Sequence, residues 1–236
     1  MNIHKLYAPI LKMFRTGRMK RFVKRFAITP QTTVLDMGGG AFNWTLLPVR
    51  PKVTILDVYD HGNKADWATY VVGDGCYTDF PDAAFDVVFS NSVIEHVGGI
   101  ERQRQFAAEC MRCGRGFFVQ TPNKWFPVDT HTLMPFAHWL PQKAFRKLVR
   151  FSPRFVFFKP DPGDLADFSN MRLLGARDLK ELFPGAEIIK ERFCGITKSL
   201  IAVSAVPSPG QRSATAPAQT ACDNAPADKD KTPRPR

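Results

Sequence analysis

The residues best suited to chemistry stand at the ends of short apolar runs. Thr33-Val34-Leu35-Asp36-Met37 leads directly into three glycines, Gly38, Gly39 and Gly40. A carboxylate beside bare backbone N–H groups at a strand end suits a ligand carrying both positive and negative groups, as nucleoside-type cofactors do. Asp57 closes a second apolar run, where it can accept both ribose hydroxyls. Asp74-Gly75 follows a third run, where an acid can accept from the exocyclic amine of adenine. Ser90-Asn91-Ser92 ends a fourth, at the carboxyl edge where open α/β sheets bind their ligands. A dinucleotide fingerprint would place glycines at 38, 40 and 43, but position 43 is Asn, which speaks against a pyrophosphate cofactor. His131, in Asp129-Thr130-His131-Thr132, is the best candidate general base, since imidazole titrates in the useful range.

Positioning these residues requires a sheet. Strands are expected at Thr33–Met37, Lys52–Asp57, Thr69–Val72, Phe85–Ser90 and Gly116–Gln120, with a helix over Glu101–Cys113. Strand runs alternating with helices predict parallel strands in a doubly wound α/β sheet. Glu187–Phe193 and Ser199–Val206 are separated only by a turn around Gly195, too short for a crossover helix, so they form an antiparallel hairpin.

Three regions flank this core. Residues 1–30 hold eight Lys or Arg and no acid, with apolar residues at helical spacing, and read as two short basic amphipathic helices. Residues 122–168 form an aromatic, basic insertion that could cover a substrate. It includes Trp125, Phe126, Phe136, Trp139, Phe145, Phe151, Phe155, Phe157 and Phe158. Residues 207–236 contain no Val, Ile, Leu or aromatic and predict a disordered tail. The domain proper therefore spans 31–206.

With 236 residues and 44% hydrophobic content, the chain can bury one sizeable core. Its net charge of +11 favours polyanionic partners. Five scattered cysteines read as free thiols of a reducing compartment; Cys110 and Cys113 have CxxC spacing but lie late in a helical pattern. No apolar signal region follows the charged start, and no run of about 18 apolar residues exists. A cytoplasmic location, peripheral to the inner membrane face, is the expectation.

The ordered set Asp36, Gly38, Gly40, Asp57 and Asp74, followed by the closing hairpin, strongly resembles class I S-adenosylmethionine-dependent methyltransferases, in particular the type 11 group. The resemblance covers about residues 30–206. It implies a Rossmann-like seven-stranded sheet and S-adenosylmethionine as cofactor. The Gly38–Gly40 run with Asp36 would hold the methionine end, Asp57 the ribose, and Asp74-Gly75 the adenine side. Asn91 would add a contact after the fourth strand. Phe42 departs from the usual third glycine of that motif. Some related O-methyltransferases bind a divalent metal through Glu-x-x-Glu-His, but here Ser92 stands in the first position before Glu95-His96, and no metal is assigned. Amino-methylating nucleic-acid enzymes carry Asn/Asp-Pro-Pro-aromatic after the fourth strand. The sequence Asn91-Ser92-Val93-Ile94 argues against nucleic acid. The segment Thr121–Pro127 with His131 resembles bacterial type 11 members of unassigned substrate. The resulting expectation is a methyltransferase acting on a small-molecule or lipid-linked acceptor, with peripheral contact to an anionic membrane. The competing reading is a non-catalytic cofactor-binding or membrane-interaction protein that kept the fold. An NAD-dependent oxidoreductase is disfavoured by Asn43 and the hairpin.

Overall fold

Val34, Leu35, Met37, Val53, Ile55, Leu56 and Val87–Phe89 are all buried, so adjacent residues of one strand disappear into opposite faces. Unbroken apolar runs of this kind need a sheet covered on both sides. The computed structural model, which describes residues 3–60, 62, 64–128, 134–152 and 171–204, supplies that sheet. Its strands are β1 (Thr33–Met37), β2 (Lys52–Asp57), β3 (Ala68–Val72), β4 (Val87–Asn91), β5 (Phe117–Pro122), β6 (Glu187–Phe193) and β7 (Ile196–Val203). The order is β3-β2-β1-β4-β5-β7-β6. The first five strands are mutually parallel, and β7 runs antiparallel between β5 and β6. Strand order reverses direction between β1 and β4, and the crevice beyond their carboxyl ends is where such folds bind ligands.

One face carries α3 (Ile100–Cys113) and α5 (Ala176–Leu182). Phe106, Cys110, Leu179 and Phe183 pack there with Leu35, Met37, Val88 and Val119. The other face is covered by α1 (Ile3–Phe26) and the four-residue α2 (Ala41–Trp44). Met19, Phe22, Phe26 and Trp44 meet Val34, Ile55, Phe89 and Phe118 there. Among the described residues, no helix stands between β2 and β3 or between β3 and β4. The N-terminal helix thus supplies the apolar cover that longer crossover helices would otherwise give.

Where two N-terminal helices were expected, there is one continuous helix. Gly17 sits in its middle on an exposed side, and a side chain there would meet nothing within 4 Å. Burial of Met19, Phe22 and Phe26 against the sheet carries the helix across this weak position. The hairpin turn is also tighter than expected. Phe193 pairs with Ile196, leaving Cys194 and Gly195 as the loop, at φ 48° and 80°. Two positive φ values characterise the two-residue turn whose twist matches a hairpin. As a result β7 begins at Ile196 rather than Ser199.

The insertion is described in part. A 3₁₀ turn (Ala137–Trp139) and α4 (Gln142–Leu148) enclose a small cluster of Ala137, Phe145 and Val149. The Lys124 ammonium bonds Asp178 of α5 at 2.8 Å, and the Lys124 carbonyl accepts from the Trp139 indole at 2.7 Å. These contacts pin the start of the insertion to α5. His131, residues 153–168 of the insertion and the tail 207–236 lie outside the described residues. No helix among the described residues is long and apolar enough to cross a membrane.

Candidate active site

The glycine loop is built around a buried carboxylate. Asp36, next to last in β1, is fully buried. One oxygen accepts from the Trp44 indole at 2.8 Å, while the other has no hydrogen-bond partner among the described residues. Burial pushes its pKa up to about 7; the Trp44 bond works against that, and the neighbouring Asp57 charge adds to it. Gly39 lies directly over this carboxylate, since an added Cβ would fall 2.0 Å from Asp36 Oδ1. Gly38 has φ +71° and donates its amide to the Leu56 carbonyl at 2.7 Å. A side chain there would strike Val93 at 2.5 Å. A Cβ at Gly40 would meet nothing within 4 Å, so the loop presents open backbone toward solvent at that point.

Beside the loop is a cleft of about 320 Å³, a size that fits a small ligand. Gly38, Asp57, Asp74 and Gly75 border it together with Ser92, His96 and Arg102; Leu56, Val58, Val93, Val97 and Phe106 supply apolar wall. The parallel register aligns Asp57 with Val72, which brings the ends of β2 and β3 level and sets Asp57 near Asp74. The Asp57 carboxylate accepts from the Tyr59 amide at 3.1 Å. The Asp74 carboxylate accepts from the Cys76 amide at 2.9 Å and from Arg102 at 2.7 Å. Burial raises its pKa, but those two donors outweigh it and hold the group below the usual carboxylate range. A carboxylate has about four acceptor positions, so both acids keep capacity for a ligand donor.

Four of the residues expected at the cofactor site therefore line one cleft: Gly38, Asp57, Asp74 and Gly75. Gly39 and Gly40 continue the loop at its rim. Asp36 is adjacent but lies behind Gly39, where it shapes the loop from beneath. Asn91 is placed differently: its side-chain oxygen accepts from Arg18 of the N-terminal helix. Glu95 and His96 diverge. Glu95 is buried and accepts from the Thr121 hydroxyl at 2.9 Å, whereas His96 is exposed at the cleft. Among the described residues no three His, Cys, Asp or Glu side chains come together as a metal site. The described histidine of the insertion, His138, has its Nε2 3.0 Å from the Lys124 carbonyl.

Sequence reasoning missed Arg102, Val58 and Phe106. Val58 was within reach, because it directly follows the strand-end acid Asp57 and lines the same cleft. Arg102 and Phe106 stand one helical turn apart on α3 and enter the cleft only through packing of that helix.

Residues 37–116 match the family described as methyltransferase domain. No curated protein matches the chain. Among solved structures, the chain is similar to magnesium protoporphyrin IX methyltransferase from Synechocystis, with bound S-adenosylhomocysteine, at 12% identity, covering 86% of this chain and 88% of that one with a TM-score of 0.52. The complex of the Haloferax volcanii Trm112 methyltransferase activator with a methyltransferase matches at 13% identity, covering 82% and 90%, TM-score 0.51. The PH0226 protein from Pyrococcus horikoshii matches at 16% identity, covering 83% and 91%, TM-score 0.51. Sheet order and the similar solved structures give this chain the Rossmann-like methyltransferase fold, and its residues 37–116 match the methyltransferase-domain family.

Proposed function

We propose that the protein transfers a methyl group from S-adenosylmethionine to a small-molecule or lipid-linked acceptor. The observation that carries this reading is the convergence of Gly38, Asp57 and Asp74 on one cleft at the strand ends. The open backbone at Gly40 fits a ligand lying along the loop. Asp57 would accept from ribose hydroxyls and Asp74 would take the adenine side, while the apolar walls exclude water. The loop from Gly38 to Gly40 would hold the methionine end. When bound, the cofactor supplies an electrophilic methyl; the chain contributes proximity, alignment and dryness. His131 is the candidate base for a hydroxyl acceptor.

Calorimetry with S-adenosylmethionine tests the reading. Wild-type protein should bind, and Asp57→Ala should weaken binding by about 1–3 kcal/mol through lost hydrogen bonds. Absence of wild-type binding would overturn the assignment. Mass spectrometry of extract incubated with protein and labelled cofactor separates an enzyme from a non-catalytic binder, which would leave no labelled product.

The lipid-linked alternative has its own support. Trp125, Phe136 and Trp139 are exposed, and the Trp139 ring meets those of Trp125 and Phe136 at 6.4 and 5.1 Å between centroids. Phe151 is 75% exposed, and Lys143 and Lys147 are also on the surface. Aromatic rings among lysines suit an anionic lipid interface. The protein should float with phosphatidylglycerol vesicles at low salt and be released by added salt. Replacing Trp125 and Trp139 by Ser should abolish flotation, and a wild type that stays in the pellet fraction removes the membrane reading.

A further inference from the structure

We infer that the methyl acceptor carries a carboxylate or phosphate, held by Arg15, Lys198 and the side-chain amide of Asn91. This rests on the methyltransferase reading above and deepens it by naming the acceptor's chemistry.

The basis is a cluster of cations with too few acids. Glu191 is buried at the bulge of β6. It accepts from Arg18 at 2.6 and 3.3 Å and from the Ser199 hydroxyl at 2.5 Å, with Arg21 at 3.5 Å. Burial raises the Glu191 pKa, but Arg18 and these other partners outweigh it, so the carboxylate stays ionised. Its capacity is committed to Arg18, Arg21 and Ser199. Arg15 and Lys198 stand in the same cluster, yet neither forms an ion pair among the described residues. Instead they lie over rings, the Arg15 guanidinium 5.4 Å from the centre of Phe42 and Lys198 Nζ 4.1 Å from that of Phe14. Burial lowers the pKa of both, and Arg18 lowers each further by repulsion; on Lys198 the Glu191 charge works against this and Arg15 adds to it. Arg18, Arg21 and Lys198 thus share one carboxylate, with Arg15 acting on Arg18 and Lys198 beside them in a half-buried setting, and a bound anion would offset that repulsion.

The location fits an acceptor. Asn91 ends β4 and is followed directly by Ser92 and Val93 of the cleft wall. Phe42 follows the glycine loop after β1. Lys198 accepts the Asn123 amide through its backbone carbonyl at 3.0 Å, which sets it beside the end of β5. The cluster therefore borders the ends of β1, β4 and β5, past the methionine end of the cleft, where an acceptor must approach a transferable methyl. Because the Asn91 oxygen is already taken by Arg18, its NH₂ is what remains for a ligand. Arginine, lysine and an amide NH₂ form a donor-only set, matched to anionic oxygens.

The same donors could instead grip the cofactor's own carboxylate, and the experiment separates the two. Protein saturated with S-adenosylhomocysteine, which fills that place, is titrated with inorganic pyrophosphate by calorimetry. Wild type should bind it. Arg15→Gln and Lys198→Gln should each weaken binding about tenfold through a lost charge-assisted contact. Lys180→Gln, which removes an exposed charge from α5, should leave it unchanged, and affinity for S-adenosylhomocysteine should be the same in all variants. The inference is overturned if the saturated wild type ignores pyrophosphate, if the Lys180 variant loses as much, or if the cluster variants lose S-adenosylhomocysteine affinity instead. Wild type that fails to bind S-adenosylhomocysteine at all would bring down the methyltransferase reading, and this inference with it, as a separately readable result.

Discussion

Gly39→Ala should cost the protein S-adenosylmethionine affinity. The cause is steric. An alanine Cβ would lie 2.0 Å from one Asp36 oxygen and 2.1 Å from the carboxyl carbon. Asp36 cannot swing away, because it is fully buried and its other oxygen is held by the Trp44 indole at 2.8 Å. The loop must therefore lift off the sheet, and the neighbouring Gly38 would lose its 2.7 Å bond to the Leu56 carbonyl. Overpacking of this kind costs about 1–3 kcal/mol of stability, while misplaced donors at the loop should lower S-adenosylmethionine affinity by well over about tenfold. Denaturant titration and calorimetry measure the two effects. Combining the substitution with Asp36→Ala should relieve the clash, so the double variant should be less impaired than the sum of the singles. Strict additivity would mean that the carboxylate does not support the loop.

Phe22→Ala should be the most destabilising single change in the N-terminal helix. Phe22 is fully buried, and its ring meets Phe89 at 5.1 Å, Phe118 at 5.5 Å, Phe26 at 5.6 Å and Trp44 at 5.9 Å between centroids. Truncating such a ring costs about 3–5 kcal/mol, a large part of the roughly 5–15 kcal/mol by which a domain is stable. The effect should reach the site, since α1 also carries Arg18 to Glu191 and Asn91. Urea denaturation should show the loss, with Met13→Ala, 60% exposed on the same helix, changing stability by less than about 0.5 kcal/mol. Equal effects of the two substitutions would mean that α1 is not the cover of this sheet face.

Much of the fold was legible because its signals are local. β1 and β2 begin and end where the apolar runs do, since strands inside a sheet covered on both faces are largely apolar, and the edge strand β6 keeps its expected bounds although only Glu191 of it is buried. Other boundaries moved for tertiary reasons. Phe85 forms an isolated bridge with Gly114 instead of joining β4, and β4 runs on to Asn91 because β5 continues beside it to Pro122. The hairpin turn lies at Gly195 as expected but is tighter, because Cys194 carries a positive φ that its residue type does not announce. The two helices expected at the N-terminus are one, because packing of Met19 against the sheet, two residues after Gly17, holds together a helix that a glycine would weaken in isolation.

By itself the sequence determined the α/β class, the glycine loop after Asp36 and the order of acids at successive strand ends, because each is written within a few residues of chain. Only the tertiary structure decided which of those groups face the cleft. It put Asp36 beneath Gly39, brought Arg102 of α3 to Asp74, and gave Asn91 to an arginine 73 residues earlier in the chain. It also gathered Arg18, Arg21 and Lys198 around Glu191, with Arg15 beside Arg18. Partners so far apart leave no spacing to read, since only the packing of α1 and the hairpin on the sheet brings them into contact.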